Sequence, residues 1–233
     1  MNISLPTLSL AWRVRQAALE ELVPRHFNRQ AGNISCHSDG SFVTEADLAM
    51  ERRLIDAAKI THPHALATGE ETIAEDPRAF LENAKDKEVI INDPLDGTGA
   101  FLEGLDIYAA VSAVIKNGVI EAGIIYAPGL ALQQADGRLV PQKDMTFIVE
   151  RGQGCWMYRG IDTDNAVQLK IGKRETSLSH QARVAFACMN QDKKFEAILA
   201  DGVDGYIERR HANHDYIRLL TGEADANSYA ERF

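Results

Sequence analysis

Apolar positions along this chain follow two spacings, one helical and one typical of strands. Two early segments repeat apolar residues at helical spacing and predict helices over residues 5–23 and 44–60. The repeating residues are Leu8, Trp12, Leu19 and Leu22 in the first segment, and Met50, Leu54, Ala57 and Ala58 in the second. Short apolar runs such as Val89-Ile90-Ile91 predict buried strands instead.

The remaining pattern mixes both kinds of element. Further helices are predicted over residues 77–84, 191–201 and 211–225, and a turn with a short helix over 95–103. Strands are predicted over residues 65–68, 88–92, 107–127, 146–149, 154–158, 167–171, 183–187 and 203–208. Residues 107–127 predict two strands joined at Asn117-Gly118, and residues 137–142 predict an exposed loop. This order favours an α+β fold over a doubly wound one.

Composition adds limits on the class of protein. A chain of 233 residues with 45% hydrophobic residues can bury one substantial core or two small joined ones. No apolar run approaches the length of a membrane span, and charged residues interrupt the first segment, so neither a membrane partner nor a signal peptide is expected. Cys36, Cys155 and Cys188 have no ligand spacing, which suits a reducing cytoplasm. The net charge of −9 argues against a nucleic-acid partner.

Residues 92–101, NDPLDGTGAF, carry the strongest chemical signal. Asp93 and Asp96 stand between a predicted strand and a Gly-Thr-Gly turn that opens toward a short helix. Hard cations prefer carboxylate and carbonyl oxygens, and phosphate binds free backbone N–H groups at a helix N-terminus. The segment therefore predicts a metal-assisted phosphate site, and an acidic net charge suits it because bound cations invert the local sign.

Two alternatives compete with that interpretation. Asp-Gly is a common turn signal, so the segment alone leaves an ordinary turn and a metal site equally open. A calcium-binding loop beginning at Asn92 would place Pro94 at its third position, where a ligand side chain is required, so that pattern fails.

Two upstream segments carry further carboxylates. Gly69-Glu70-Glu71 follows a predicted strand and by itself indicates a solvated loop. Thr44 with Asp47 resembles a capping box, which explains Asp47 structurally. Asp47 and Glu51 lie four residues apart on one helix face, where their repulsion costs a few tenths of a kcal/mol.

Together these segments resemble the inositol monophosphatase family, whose members share a T-x-x-D helix start, a GEE strand end and DPLDGT in this order. The resemblance continues through the hairpin and through Glu150–Trp156 and Leu220–Ala226, and so covers about residues 44–233. It implies a layered α/β/α/β/α sandwich with an antiparallel sheet in the N-terminal half. We expect residues 1–130 to carry the metal and phosphate site and residues 131–233 to form the C-terminal half.

The resemblance also implies a metal centre of two or three Mg2+ ions, with Mn2+ as a substitute. Glu70, Asp93 and the Leu95 carbonyl would hold one ion, and Asp93 and Asp96 a second. A last ligand comes in the family from a Trp-Asp dipeptide after the G-x-x-D helix end, but here the sequence stops at Phe233. His214-Asp215 precedes that helix end and is in the wrong order, so we expect the natural polypeptide to continue and supply the aspartate.

Roles in catalysis follow from the same resemblance. Asp47 and Thr98 would polarise the attacking water, and Glu70 would help to hold it, whereas Glu71 is a supporting loop residue. The substrate phosphate would lie against consecutive residues of the turn, namely Leu95, Asp96, Gly97, Thr98 and Gly99.

The implied activity is a lithium-sensitive, Mg2+-dependent hydrolysis of a small sugar or polyol phosphate by a cytoplasmic homodimer. Inositol-1-phosphate is the first substrate expected, with fructose-1,6-bisphosphate, histidinol phosphate and adenosine bisphosphates as alternatives. The leaving group would be recognised near Ala212-Asn213 and beyond Tyr229. The alternative of another class is a non-enzymatic regulatory or scaffold protein that retains the fold.

Overall fold

The computed structural model describes residues 3–36, 41–133, 139–160, 163–164, 166–169, 184–187, 207–209 and 226–229. The helices are α1 (Leu5–Asn28), α2 (Glu45–Thr61), α3 (Glu70–Glu75), α4 (Pro77–Ala84) and α5 (Thr98–Glu103). The strands are β1 (Ile34–Cys36), β2 (Phe42–Thr44), β3 (Leu66–Gly69), β4 (Val89–Asp96), β5 (Ala109–Lys116), β6 (Val119–Gln133), β7 (Leu139–Glu150), β8 (Gly154–Arg159), β9 (Val167–Leu169), β10 (Val184–Ala187), β11 (Ile207–Arg209) and β12 (Ala226–Tyr229).

The chain divides into two compact units. The first comprises Met1–Leu130 and Gln142–Gln168, and the second Ala131–Pro141 and Leu169–Phe233. A seven-stranded sheet has the order β3-β4-β5-β6-β7-β8-β9, in which β3 and β4 are parallel and β4 through β6 are antiparallel neighbours. In the second unit β10 pairs in parallel with β11 and with β12. The predicted α+β class, with an antiparallel sheet in the N-terminal half, is confirmed.

Helices α1 and α2 bury their apolar stripes together with residues of the sheet. The fully buried members include Leu10, Val14 and Leu22 of α1, Met50 and Leu54 of α2, and Ile90, Ile124 and Tyr126 of the strands. Among the described residues no helix is both long and apolar enough to cross a membrane.

The N-terminus of α1 is fixed to the end of β7 by a distant carboxylate. Glu150 accepts hydrogen bonds from the Ser4 backbone N–H at 2.7 Å and from the Thr7 hydroxyl at 3.1 Å. The first N–H groups of a helix have no partner within the helix, so the carboxylate satisfies groups that would otherwise need water. Glu150 is thus a cap supplied from another element.

Several predicted boundaries agree with the structure. The helices predicted at 44–60 and 77–84 correspond to α2 and α4, and the capping box formed by Thr44 and Asp47 is present. The hairpin between β5 and β6 turns at Asn117 and Gly118, both with positive φ, as a two-residue turn requires.

Other predictions are wrong. Helix α1 continues past Pro24 to Asn28, five residues beyond the predicted end at residue 23. The acids after Gly69 begin a helix, α3, rather than a loop. The turn predicted at residue 95 is still strand, because β4 runs to Asp96.

The loop predicted at residues 137–142 is wrong from Leu139 onward, where β7 begins. Strand β12 had no predicted counterpart. The helices predicted at 191–201 and 211–225 lie outside the described residues, as do His214-Asp215 and the G-x-x-D segment.

Candidate active site

A bulge in β4 brings the two aspartates of the DPLD segment to one side of the sheet. Asp93 pairs with Val111 of β5 and Asp96 pairs with Ala109, so three steps along β4 oppose two along β5. Side chains alternate between faces along a strand, and residues three apart would normally point in opposite directions. Because the bulge adds one residue to β4, Asp96 returns to the face of the sheet on which Asp93 lies. Pro94 fits there because it has no N–H to donate to the ladder.

The Asp93 carboxyl group lies in a field of negative charge. Burial and the charges of Asp96 and Glu70 raise its pKa well above 3.8, and Asp47 adds to this effect. A hydrogen bond of 3.2 Å from the Leu95 N–H opposes the shift only in part. A group of neighbouring carboxylates is what a hard divalent cation stabilises. The donor chemistry therefore fits Mg2+.

The same residues do not form a closed metal cage. Among the described residues, no three aspartate, glutamate, histidine or cysteine side chains converge closely enough to hold one ion. The charges of Glu70, Asp93 and Asp96 nevertheless act on one another, because electrostatic effects extend beyond coordination distance. An ion here would take one or two carboxylates and complete its shell with other oxygens, as Mg2+ commonly does.

Thr98 and Asp47 form a second part of the site. The Thr98 hydroxyl lies 3.2 Å from Asp47 Oδ1 and 2.9 Å from the Leu95 carbonyl oxygen. The other oxygen of Asp47, Oδ2, accepts from the Thr44 N–H at 2.8 Å and from the Thr44 hydroxyl at 2.5 Å. Asp47 is only 3% exposed. Its burial raises its pKa, although the hydrogen bonds from Thr44 and Thr98 oppose the shift.

The turn between β4 and α5 presents backbone N–H groups. Gly97 caps α5 with φ +87°, a left-handed conformation that favours glycine, and an added Cβ would lie 2.8 Å from the Ile107 carbonyl oxygen. A Cβ at Gly99 would meet no described atom within 4 Å. The first N–H groups of a helix have no partner within it, so the start of α5 offers donors on an open side.

The structure has a cleft of about 480 Å³ next to Asp93. Its lining comprises Glu70, Ile73, Ile91, Asn92, Asp93, Val111 and Ala113. Glu70 is exposed and Asp93 half-buried within it. The structure thus brings Glu70 and Asp93 to one cleft, and Asp47 and Thr98 to one hydrogen bond. Leu95 keeps its side chain in the core, so only its backbone is available to a ligand.

Two buried polar residues beside the site were missed as supporting groups. Asn92 donates to the Thr68 carbonyl oxygen at 2.7 Å and accepts from the Ser112 hydroxyl at 2.6 Å, which ties β3, β4 and β5 together. Glu51 is 5% exposed and contacts the start of α3. The sequence could have indicated a role for Glu51, because it lies one turn after Asp47 on the buried face of α2.

Comparison with known proteins places these features in context. The model of the inositol monophosphatase family matches residues 6–231. "Putative Nus factor SuhB" of Neisseria meningitidis is 28% identical over 165 residues, which are 70% of this chain and 56% of that protein. "Inositol-1-monophosphatase" of Mesorhizobium japonicum is 29% identical over 124 residues, 53% of this chain and 40% of that protein. The chain spans about half the length of such curated relatives.

Solved structures share the fold. The extragenic suppressor protein suhB from Bartonella henselae superposes with a TM-score of 0.67 at 21% identity, over 97% of this chain and 77% of that one. The IMPase of Thermotoga maritima gives 0.68 at 19% identity, over 95% and 74%. An IMPase/NADP phosphatase complexed with Mg2+ and phosphate gives 0.66 at 14% identity, over 93% and 72%.

Proposed function

Because the chain belongs to the inositol monophosphatase family, we propose that it is a Mg2+-dependent phosphomonoesterase acting on a small sugar or polyol phosphate. The observation that carries the proposal is the hydrogen bond between Thr98 and Asp47, formed beside the paired aspartates of the β4 bulge. Inositol-1-phosphate is the first substrate to test, since one relative carries the name inositol-1-monophosphatase. The products would be the alcohol and inorganic phosphate.

Three carboxylates and one carbonyl would together hold two Mg2+ ions. We assign Glu70, Asp93 and the Leu95 carbonyl to one ion, and Asp93 with Asp96 to a second. Bound Mg2+ would lower the pKa of a water, orient the phosphate and stabilise the leaving oxygen. The negative field around Asp93 supports this assignment, because it is costly to the protein without a cation.

Thr98 and Asp47 would move the proton of the attacking water. A threonine hydroxyl has one proton to donate, so Thr98 can donate to Asp47 or to the Leu95 carbonyl, but not to both at once. When it donates to Asp47, its lone pairs face outward to accept from water. As the water attacks phosphorus, its proton passes to Thr98 Oγ1 and the Thr98 proton passes to Asp47. The raised pKa of Asp47 favours that acceptance.

The phosphate oxygens would be held by backbone N–H groups at the start of α5. Gly97, Thr98 and Gly99 supply these donors, and the N-terminal end of the helix carries partial positive charge. The ester bond to the alcohol breaks as the new P–O bond forms, and the leaving oxygen takes a proton from solvent. No side chain described in the structure is assigned to that last step.

The first experiment measures inorganic phosphate released from a panel of phosphomonoesters, with and without Mg2+, on the longest natural form of the chain. The panel contains inositol-1-phosphate, fructose-1,6-bisphosphate, histidinol phosphate and an adenosine bisphosphate. We expect Mg2+-dependent release from at least one. Release that is equal in EDTA would contradict the proposal.

Thr98→Ala tests the proton transfer directly. We expect kcat to fall by roughly 10²- to 10⁴-fold, as for loss of general-base catalysis, with KM changed by less than about threefold. Thr98→Ser keeps the hydroxyl and is the matched control, expected to retain most of the activity. If Thr98→Ala keeps its kcat but melts earlier, Thr98 is a turn residue and not a proton carrier.

A second candidate function is partner binding without catalysis. It is favoured by the name of several relatives, "Nus factor SuhB", including that of Escherichia coli, 27% identical over 150 residues. This second function would be supported if the natural chain hydrolyses no ester of the panel faster than its Asp93→Asn variant does.

A further inference from the structure

Helix α3 begins without a cap of its own. Its N-cap residue is Gly69, which has no side chain to accept a hydrogen bond. Glu51, on α2, supplies the missing acceptors: Oε2 accepts from the Glu71 N–H at 2.8 Å, and Oε1 accepts from the Thr72 N–H at 3.0 Å. Oε1 also accepts from the Thr72 hydroxyl at 2.5 Å. A carboxylate twenty residues away therefore closes the first turn of α3.

These contacts are strong for physical reasons. Hydrogen bonds to an ionised group are about twice as strong as those between neutral groups. The start of a helix carries partial positive charge, which a carboxylate complements. Glu51 is 5% exposed, so water does not compete effectively for its oxygens. The first turn of α3 is thus anchored more firmly than expected for a helix of six residues.

Gly69 leaves room for this anchor. Its φ of −132° is an extended conformation that any residue can adopt, so flexibility does not explain the glycine. An added Cβ would lie 2.3 Å from both Cδ and Oε2 of Glu51. An alanine here could be accommodated only by moving the carboxylate away from its three donors.

Glu70 lies between Gly69 and the anchored residues. The pairing of Gly69 with Asn92 across β3 and β4 sets Glu70 beside Asp93, and both line the same cleft. The direction of the Glu70 side chain depends on the backbone at the start of α3. Glu51 holds that backbone at the two residues that follow Glu70. Any loosening of that turn would move Glu70 relative to Asp93.

We propose that Glu51 is a positioning residue that fixes the first turn of α3 and so holds Glu70 at the distance from Asp93 that a shared metal ion needs. The proposal rests on the proposed function, in which Glu70 is a metal ligand. It extends that function to α2 as a whole. Asp47 accepts a hydrogen bond from Thr98, and Glu51, one turn later on the same face of α2, holds α3.

The test uses two substitutions of Glu51, one that removes the negative charge and one that keeps it. Glu51→Gln removes the charge and turns an amide N–H toward a backbone donor, whereas Glu51→Asp keeps the charge but is one methylene too short to reach α3. If position matters, both variants should bind Mn2+ about 10- to 100-fold more weakly, as for other residues that orient metal ligands. If only charge matters, Glu51→Asp should bind Mn2+ like the natural protein, and the proposal is overturned.

Glu150→Gln is the matched control. Glu150 caps α1 from β7 in the same manner, through a backbone N–H and a threonine hydroxyl. This variant should lose thermal stability but bind Mn2+ with unchanged affinity. A weakening of Mn2+ binding equal to that of the Glu51 variants would show a general loss of stability and overturn the proposal.

Two measurements do not depend on activity. Free Mn2+ is counted by electron paramagnetic resonance during titration, and exchange of the Glu71 and Thr72 amide hydrogens is followed by NMR in metal-free protein. Slow exchange that becomes at least tenfold faster in Glu51→Gln supports the anchor; fast exchange in the natural protein overturns it. If the Glu51 variants do not fold, Thr72→Val removes only the hydroxyl contact and should weaken Mn2+ binding in the same direction.

The outcomes separate this proposal from the proposed function. Unchanged Mn2+ binding in the Glu51 variants, with hydrolysis by the natural protein, overturns only the positioning role. Weakened Mn2+ binding in those variants, without hydrolysis of any ester, supports the positioning role and counts against the phosphatase. Absence of Mn2+ binding to the natural protein overturns both.

Discussion

Asp93 is the residue on which the proposed metal centre most depends, and its substitution should change stability and activity in opposite directions. Asp93→Asn removes a carboxylate that is disfavoured by burial and by the charges of Asp96 and Glu70. We expect the metal-free variant to melt at a higher temperature, to gain no stability from Mg2+, and to lose hydrolysis. Calorimetry and phosphate release measure the two effects.

The control for that substitution is an aspartate of the same unit away from the cleft. Asp56 is exposed on α2 and lies 3.8 Å from Lys59. Asp56→Asn should leave activity and the Mg2+-dependent melting shift unchanged. Full activity of Asp93→Asn at saturating Mg2+ would remove Asp93 from the metal centre.

For single residues, the sequence predicted the candidate acids but not all of their contacts. The joint role assigned to Asp47 and Thr98 required them to be close, and the structure places them 3.2 Å apart. Family resemblance supplied that pairing, since they are 51 residues apart in the chain. Glu51 was interpreted only as a neighbour repelling Asp47. Its donors lie on α3, which no local pattern connects to it.

At the scale of elements, the capping box of α2 is both a helix start and part of the site. Thr44→Val removes the hydroxyl that accepts from the Ala46 N–H and donates to Asp47. We expect a loss of about 0.5–2 kcal/mol in the free energy of unfolding, as for other N-cap replacements. The pKa of Asp47 should rise further, because the Thr44 hydrogen bonds lower it. Denaturant unfolding and the pH profile of kcat measure these effects.

Thr44→Ser keeps the hydroxyl and should leave both the free energy of unfolding and the pKa of Asp47 unchanged. An acidic limb of the profile that does not move toward higher pH in Thr44→Val would show that Asp47 is not the group whose ionisation limits catalysis.

Elements were predictable where their signals are local. Helix α2 has its cap and its apolar repeat within one segment, and the Asn117-Gly118 turn carries its own chemistry. Helix α3 was missed because its cap comes from Glu51 rather than from its own sequence. The loop predicted at 137–142 followed Gly137 and Pro141. Strand β7 nevertheless begins at Leu139, because its place between β6 and β8 in the sheet outweighs those two local signals.

At the scale of the whole molecule, the raised pKa values of Asp47 and Asp93 predict how stability depends on pH and Mg2+. Both values lie above 3.8, so ionisation costs the folded protein more than the unfolded chain. Their contribution is fully favourable below pH 3.8 and is lost as pH rises through the raised values. Without metal, these groups make the protein less stable at neutral than at mildly acidic pH.

Mg2+ should reverse that loss. At 100 times its dissociation constant a ligand adds about 2.7 kcal/mol to the free energy of unfolding. Because protons compete with Mg2+ for the carboxylates, we expect the Mg2+-dependent rise in Tm to be larger at pH 7.5 than at pH 5, and absent in Asp93→Asn. Calorimetry at both pH values tests this; a larger rise at pH 5 would contradict it.

The fold class was within reach of the sequence, but the order of strands was not. Mixed periodicities indicate an α+β protein, and the hairpin fixes β5 beside β6. Nothing local to β3 shows that it lies parallel to β4, since the two are joined through α3 and α4 and meet by non-local pairing. The resemblance to a known family implied the layered sandwich but not this strand order.

The spacing of Asp47 and Glu51 on α2 limits where residues can be inserted or deleted in this helix. One residue inserted between them would rotate one side chain about the helix axis by about 100° and shift it by about 1.5 Å relative to the other. The contact with Thr98 or the contacts with α3 would then be lost. Substitutions at the exposed positions Leu48, Arg52 and Arg53 carry no such penalty. Among sequences that keep this chemistry, the exposed position 48 should therefore vary, whereas residues 47–51 should show no insertions or deletions.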